Sequence, residues 1–383
     1  MKKIFFIFLV SLISFHATAQ DSSRLRISLI TCTPGEELYA TFGHSALRVI
    51  DSNAVTDIIY NYGTFDFNDP EFYSKFIKGK LLYCLSIESI DDFLYSYQLE
   101  DRGVREQVLN LTGAEKQAIR QALLENLKEE NRWYKYDFVL DNCTTRLRDI
   151  ILKYKHPVTH LPAVMPVNYT FRNAIHFYLD KNKKYWSKLG IDLLLGSGMD
   201  KQMTVSQQEF LPDNLMIAFD SAGSEKMVQY SRILYTQQQP IAGKAGITPL
   251  LCFTLLLLLF ILFQFLKLRK VLRVADFTLF FVVGLLGMLL VFMWWGTDHI
   301  MTKANYNLLW ALPMHTFFAF TICKQQCWIK IYFLLVAILM CLVLLSWNIM
   351  PQQLNMALIP IVILLAYRSI AIYKNFGYGK QDD

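Results

Sequence analysis

The chain has 383 residues, 54% of them hydrophobic and 18% charged, with a formal net charge of +6. The cationic excess lies mostly in short loops between apolar segments of the C-terminal half, so it is no argument for a nucleic-acid partner. Of seven cysteines, four (Cys252, Cys323, Cys327, Cys341) belong to that half, and no other ligands converge on Cys323 and Cys327, so no metal site is expected there.

Residues 1–19 carry a basic start, a short apolar core and Ala17-Thr18-Ala19 before Gln20, the pattern of a cleavable secretory signal peptide. No cysteine follows the cleavage point, so the chain is not expected to be a lipoprotein itself. The mature chain should begin near Gln20, outside the cytoplasm, and residues 20–245 have the composition of a soluble globular domain.

In that domain, "RLRISLITC" (24–32), "SALRVID" (45–51) and "TDIIYNYGTF" (56–65) are expected strands, the last two joined by a turn at Ser52-Asn53. "NDPEFYSKF" opens a helix with Pro70 at a permitted early position. "LLYCLSIE" is an expected strand, "SIDDFLYSYQL" a short helix and "REQVLNL" a strand. Thr112 and Glu115 form a capping box for a long helix to about residue 130. In "YKYDFVLDNCTTRLRDIILKY" (134–154) the pattern changes at Cys143, after which Leu147, Ile150, Ile151 and Tyr154 share one helical face. Residues 155–245 show no strong repeat and are expected to be helical or irregular additions. The class is α+β.

From residue 246 to 375 the composition changes to five apolar segments, near 247–266, 277–296, 306–323, 331–350 and 356–373, each long enough for a bilayer core. Lys267, Arg269, Lys270 and Arg273, then Lys324 and Lys330, then Lys374 and Lys380 occupy one side, against only Lys303 on the other. That asymmetry sets the N-terminal domain in the periplasm and the tail, 376–383, in the cytoplasm of an inner-membrane protein. Arg368 is expected to snorkel to the headgroups. Trp294, Trp295 and Trp310 are expected in the interfacial belt, and Pro313 and His315 to kink the third span or face the bundle.

Three cysteines remain outside the membrane: Cys32, Cys84 and Cys143. An odd number in an oxidising compartment leaves one thiol unpaired, and if Cys32 and Cys84 pair, that thiol is Cys143. A helix N-terminus favours negative charge and lowers a thiol pKa. His44, after Gly43 at the entrance to a strand, can activate such a thiol for covalent acyl transfer. A third group should orient the imidazole. Asn61 on the neighbouring strand is the first choice, with Tyr60, Tyr62 and Asp51 as alternatives. Backbone N–H groups at the Cys143 helix start are the expected oxyanion donors.

The order of histidine on an early strand, a polar residue on the next, then an Asn-Cys helix start resembles the permuted papain-like arrangement of NlpC/P60-type relatives of lecithin:retinol acyltransferase. A closer resemblance runs through "TFGHSALRV", "YNYGTFDF", "DNCTTRLRD" and "NYNLLWALP" with five terminal spans, which look like the Lnb-type lipoprotein N-acyltransferases. It implies a membrane phospholipid as acyl donor and, as acceptor, the α-amine of the lipidated N-terminal cysteine of a lipoprotein, with no cofactor or metal. The catalytic residues would be Cys143, His44 and Asn61. Asp298, His299, Asn305 and Asn307, in the polar loop after the second span, are candidates to line a headgroup site. Two other readings stay open: a membrane-tethered cysteine amidase or peptidase acting on peptidoglycan, and a non-catalytic envelope protein that binds lipid or a partner.

Overall fold

The computed structural model describes residues 24–374 except 67, 224–225, 240–242, 244–245, 323 and 325. The expected signal peptide with its cleavage point, and the tail at 376–383, lie outside the described residues. Seven antiparallel strands, β1 Leu25–Cys32, β2 His44–Asp51, β3 Thr56–Thr64, β4 Leu82–Ser89, β5 Val104–Leu109, β6 Trp133–Lys135 and β7 Val228–Tyr235, form one sheet. Their order is β6-β4-β3-β2-β1-β5-β7.

The central strands are buried on both faces. On one, Ile27, Leu29, Leu47 and Val49 pack against Ile119 and Leu123 of helix Gly113–Leu127 and against Leu147 and Ile151 of helix Cys143–Tyr154. On the other, Ile30, Cys32, Ala46 and Ile59 pack against Phe93 of helix Ile90–Leu99. Each Leu, Ile or Val among them contributes about 1.5–3 kcal/mol by leaving water. The capping box at Thr112 and Glu115 is formed as its spacing requires.

Cys32 sits on β1 and Cys84 on β4, with β2 and β3 between them. Three strand spacings amount to roughly 14 Å, beyond the ~7 Å Cα separation that a disulfide tolerates. Both are free thiols, so the conditional pairing is not made. Among the described residues of 155–245 are the α-helices Phe171–Lys181, Tyr185–Leu194 and Pro212–Asp220, two short 3-10 helices, and the unexpected β7. This strand pairs with β5 at the sheet edge with most side chains exposed, so it lacks the apolar alternation that marks a strand in sequence.

Three helices of the C-terminal part, Arg269–Trp295, Cys327–Leu345 and Met356–Lys374, are long and apolar enough to cross a membrane, and Pro249–Phe265 is a shorter apolar helix. The expected span at 306–323 is not one helix. It consists of a 3-10 turn, Tyr306–Leu309, and a six-residue helix, Met314–Ala319, separated at Pro313. It runs back along Arg269–Trp295, where Gly287 and Gly284 leave room for its backbone: a Cβ at Gly284 would meet the Thr316 nitrogen at 2.2 Å. Irregular backbone at such depth is tolerated because it is buried in protein. Trp310 leaves the expected belt; it is 1% exposed and donates its indole N–H to Asn307 Oδ1 at 3.0 Å. His315 is buried, with its ring nitrogens on Trp310 O and the Tyr332 hydroxyl. Arg368 does not snorkel either. It is buried in a two-pronged pair with Asp276, at 2.6 and 2.8 Å, and reaches Gln264 Oε1. A charge at this depth costs less paired than stretched toward water.

Candidate active site

Asn142 builds the start of the thiol helix. Its extended backbone (φ −117°, ψ −175°) takes the N-cap position, and its Oδ1 accepts the N–H groups of Thr144 and Thr145, both at 2.9 Å. Thr145 Oγ1 returns the bond by accepting the Asn142 N–H at 2.8 Å. The Asn142 Nδ2 donates to Phe138 O and Phe210 O, so the whole residue is fixed. Cys143 is therefore the first helical residue. With the next two N–H groups occupied by the cap, the Cys143 N–H is the first-turn donor left for an oxyanion, among the described residues.

His44 opens β2, in register with Cys32 of β1. Gly43 before it has φ +81°, and a Cβ there would lie 2.7 Å from Cys32 O, so only glycine makes this entrance. Asn61 lies on β3, the next strand. Its Oδ1 is 3.1 Å from His44 Nε2. Its Nδ2 donates a short bond to Glu88 Oε1 on β4. A carboxylate only accepts, so Glu88 turns the Asn61 amide NH₂ toward itself and the Asn61 oxygen toward His44. Nε2 must then carry the proton, which leaves Nδ1 as the basic nitrogen for the thiol. Glu88 was not foreseen from sequence, because its place beside Asn61 depends on the β3–β4 register, where Asn61 faces Ser86 and Ile59 faces Glu88.

Cys143 and His44 lie close enough for each to act on the other's protonation. Burial alone would raise the thiol, but the His44 charge and hydrogen bond, with the Ser45 backbone N–H and Thr144, outweigh it and lower its pKa from 9.0 to about 7. Burial also works against the imidazolium, yet the thiolate's charge, with hydrogen bonds to Cys143 and Asn61, lifts His44 above its ordinary value. Cys32 contrasts with this. Burial pushes its thiol up to about 12, so it stays protonated although it neighbours His44 across the strands. Gly63, at φ +92°, lies beside the thiol: a Cβ there would stand 3.8 Å from Cys143 Cβ and 3.5 Å from the Tyr136 ring. This arrangement can hold a thiolate–imidazolium pair and attack an acyl carbon.

The alternatives to Asn61 are engaged elsewhere. Tyr60 and Tyr62 belong to the opposite face of the sheet, and the Tyr62 hydroxyl accepts from Asn126 at 2.7 Å. Asp51 caps the β2–β3 turn through the N–H groups of Asn53 and Ala54 and pairs with Arg120.

The loop candidates divide. Asn305 and Asn307 are 2% and 0% exposed, and their Nδ2 groups donate to backbone carbonyls of Asp192–Leu194 at the end of helix Tyr185–Leu194. They join the membrane half to the sheet domain instead of facing a headgroup. Asp298 and His299 stay at the surface of that seam. Asp298 pairs with Lys135 at 3.0 Å, and its N–H donates to Lys78 O. Among the described residues, no group of three or more His, Cys, Asp or Glu side chains could hold a metal ion.

Two family descriptions match the chain: "Lnb N-terminal periplasmic domain" over residues 14–173 and "Lnb transmembrane domain" over residues 241–377. No curated protein and no solved structure matches it.

Proposed function

The chain belongs to the Lnb family of lipoprotein N-acyltransferases, as an inner-membrane protein with a periplasmic domain, and from that premise we propose that it moves an acyl chain from a membrane phospholipid, through a Cys143 thioester, to the α-amine of a lipoprotein's lipidated N-terminal cysteine. The observation that carries this reading is a thiol lowered to about 7 at a helix start, coupled to a histidine that Asn61 orients. The permuted papain-like order of His44 before Cys143 and the cytoplasmic placement of the C-terminus are part of the same proposal.

In the first half-reaction the Cys143 thiolate attacks the ester carbonyl of the phospholipid. A C–S bond forms, the ester C–O bond breaks, and the leaving alkoxide takes the proton from His44 as lysophospholipid departs. The developing oxyanion would accept from the Cys143 N–H. In the second, the acceptor amine attacks the thioester; C–N forms and C–S breaks. His44 takes the amine proton, which restores the thiolate–imidazolium pair. Both substrates are amphiphiles, and a membrane domain beside the thiol raises their effective concentration and orients the ester.

The test is intact-mass analysis of the full-length enzyme. Incubation with phospholipid alone should leave one acyl chain on Cys143, and a peptide with a free lipidated N-terminal cysteine should discharge it. Full acceptor acylation by enzyme whose Cys143 has been alkylated would overturn the covalent route.

A further inference from the structure

Helix Phe72–Lys78 has no buried residue, and Tyr73, Phe76 and Ile77 are 79%, 51% and 48% exposed. Its position accounts for them. The Asp298 N–H donates to Lys78 O at 2.8 Å, and His299 Nε2 lies 3.1 Å from Phe76 O. Gly79 (φ +69°) turns the chain against His299, where a Cβ would meet the imidazole at 3.2 Å. The helix thus rests at the end of Arg269–Trp295 that carries the stacked Trp294 and Trp295, the level at which aromatic side chains meet lipid headgroups. Lys78 and Lys80 add cations on the same segment, suited to lipid phosphates.

From this helix a line of rings leads to the nucleophile. Phe76 stacks with Phe72 at 6.2 Å, and Phe72 meets Phe65 at 5.6 Å. Phe65 meets Tyr83 edge-on at 5.1 Å, and Tyr83 stacks on Tyr136 at 4.4 Å. Tyr136 ends the line beside Gly63, where a Cβ would lie 3.5 Å from the Tyr136 ring and 3.8 Å from Cys143 Cβ. Phe65, Phe72, Tyr83 and Tyr136 are each half-buried.

We propose that helix Phe72–Lys78 enters the lipid leaflet facing the sheet domain and that the Phe76–Phe72–Phe65–Tyr83–Tyr136 row guides a phospholipid acyl chain to Cys143. The occupant is an acyl chain because the row is apolar, starts at the membrane level and ends at the thiol. The substrate class rests on the acyltransferase reading, but lipid contact is measured separately from chemistry.

A photoreactive benzoyl-phenylalanine is placed at position 76, 65 or 95 of the full-length Cys143→Ala protein in phosphatidylethanolamine–phosphatidylglycerol vesicles. Tyr95, 62% exposed on the helix over the opposite face of the sheet, is the control. Lipid adducts at 76 and 65 but not at 95 are expected. Adducts at 76 without 65, at none of the three, or equally at 95 would overturn the path. With Cys143 present, Tyr73→Asp/Phe76→Asp should slow phospholipid loading at least tenfold while iodoacetamide alkylation of Cys143 stays within twofold; unchanged loading would also overturn it. If the parent enzyme forms no thioester while the cross-links persist, the acyltransferase reading fails and the lipid path stands.

Discussion

Cys143, His44, Asn61 and Glu88 form one row of polar side chains; Arg172, His176, Asp192 and Asn355 form another. The first starts at a titratable thiol and runs across three neighbouring strands. The second closes on itself at the seam between the two halves. Asp192 is 1% exposed; its Oδ1 accepts from Arg172 at 2.7 Å and lies 2.8 Å from His176 Nε2, while its Oδ2 accepts from Asn355 at 2.8 Å. Arg172 uses its remaining donors on Asp200 and on the carbonyls of Leu195 and Gly196. A row whose charged groups all find partners holds parts together, whereas one that couples an imidazole to a titratable thiol can move a proton.

The comparison breaks most sharply at the thiol. Cys143→Ser and His44→Ala should each lower acyl transfer by roughly a thousandfold or more, the scale of a lost nucleophile or general base, with little change in thermal unfolding. Lipoprotein N-termini read by mass spectrometry in cells carrying each variant would measure it. Normal acylation would remove that residue from the mechanism. In His44→Ala, burial is left to act with far less opposition, so the pH midpoint of Cys143 alkylation should climb from about 7 toward or beyond the ordinary 9.0.

Breaking the second row should do the reverse. Asp192→Ala takes one of the two carboxylates from buried Arg172, leaving Asp200, and also strips His176 and Asn355 of their acceptor, a loss of up to about 3–5 kcal/mol. Burial alone would raise the Asp192 carboxyl, but His176 and Arg172 hold it below the ordinary 3.8. Its folded pKa is thus the lower one, so this stabilisation is present above pH 3.8 and is lost only as the pH falls through the folded value. Detergent-purified protein should unfold at a lower temperature at pH 7, and Cys143 should still alkylate at close to its normal rate while folded. Unaltered unfolding would mean that the seam is held elsewhere.

Much of the first row could be read from sequence because each signal is local. A Gly-His strand entrance, a polar residue among aromatics on the next strand and an Asn-Cys helix start each announce themselves within a few residues. β1 to β5 and the capping box at Thr112 were legible for the same reason. The second row was not, because Arg172, Asp192 and Asn355 come together only after chain segments far apart have packed. The third span was legible as an apolar segment but not as a broken one. Pro313, with Gly284 and Gly287 opposite, makes a broken segment that hydropathy does not separate from a helix. Arg368 misled because its partner, Asp276, is on another helix.

The smallest expected effect falls on the far end of the thiol row, where Glu88 touches neither thiol nor imidazole. Burial raises the Glu88 carboxyl, and its bond from Asn61 works against that. Glu88→Gln keeps the shape but supplies an NH₂ that can donate to Asn61 Oδ1. The Asn61 amide would then be free to turn, presenting donors to His44 Nε2 and favouring the tautomer with its proton on Nδ1. Such a ring cannot accept the thiol proton through Nδ1. The loss should be about tenfold in the rate of Cys143 acylation, matching the ~1.5 kcal/mol of one charge-assisted hydrogen bond. It should come with an upward shift in the pH midpoint of alkylation, because a less well-oriented His44 lowers the thiol pKa less. Glu88→Asp, which keeps an acceptor, should recover part of the rate. A purely structural role would lower stability and leave the midpoint where it is, and that result would detach Glu88 from the row.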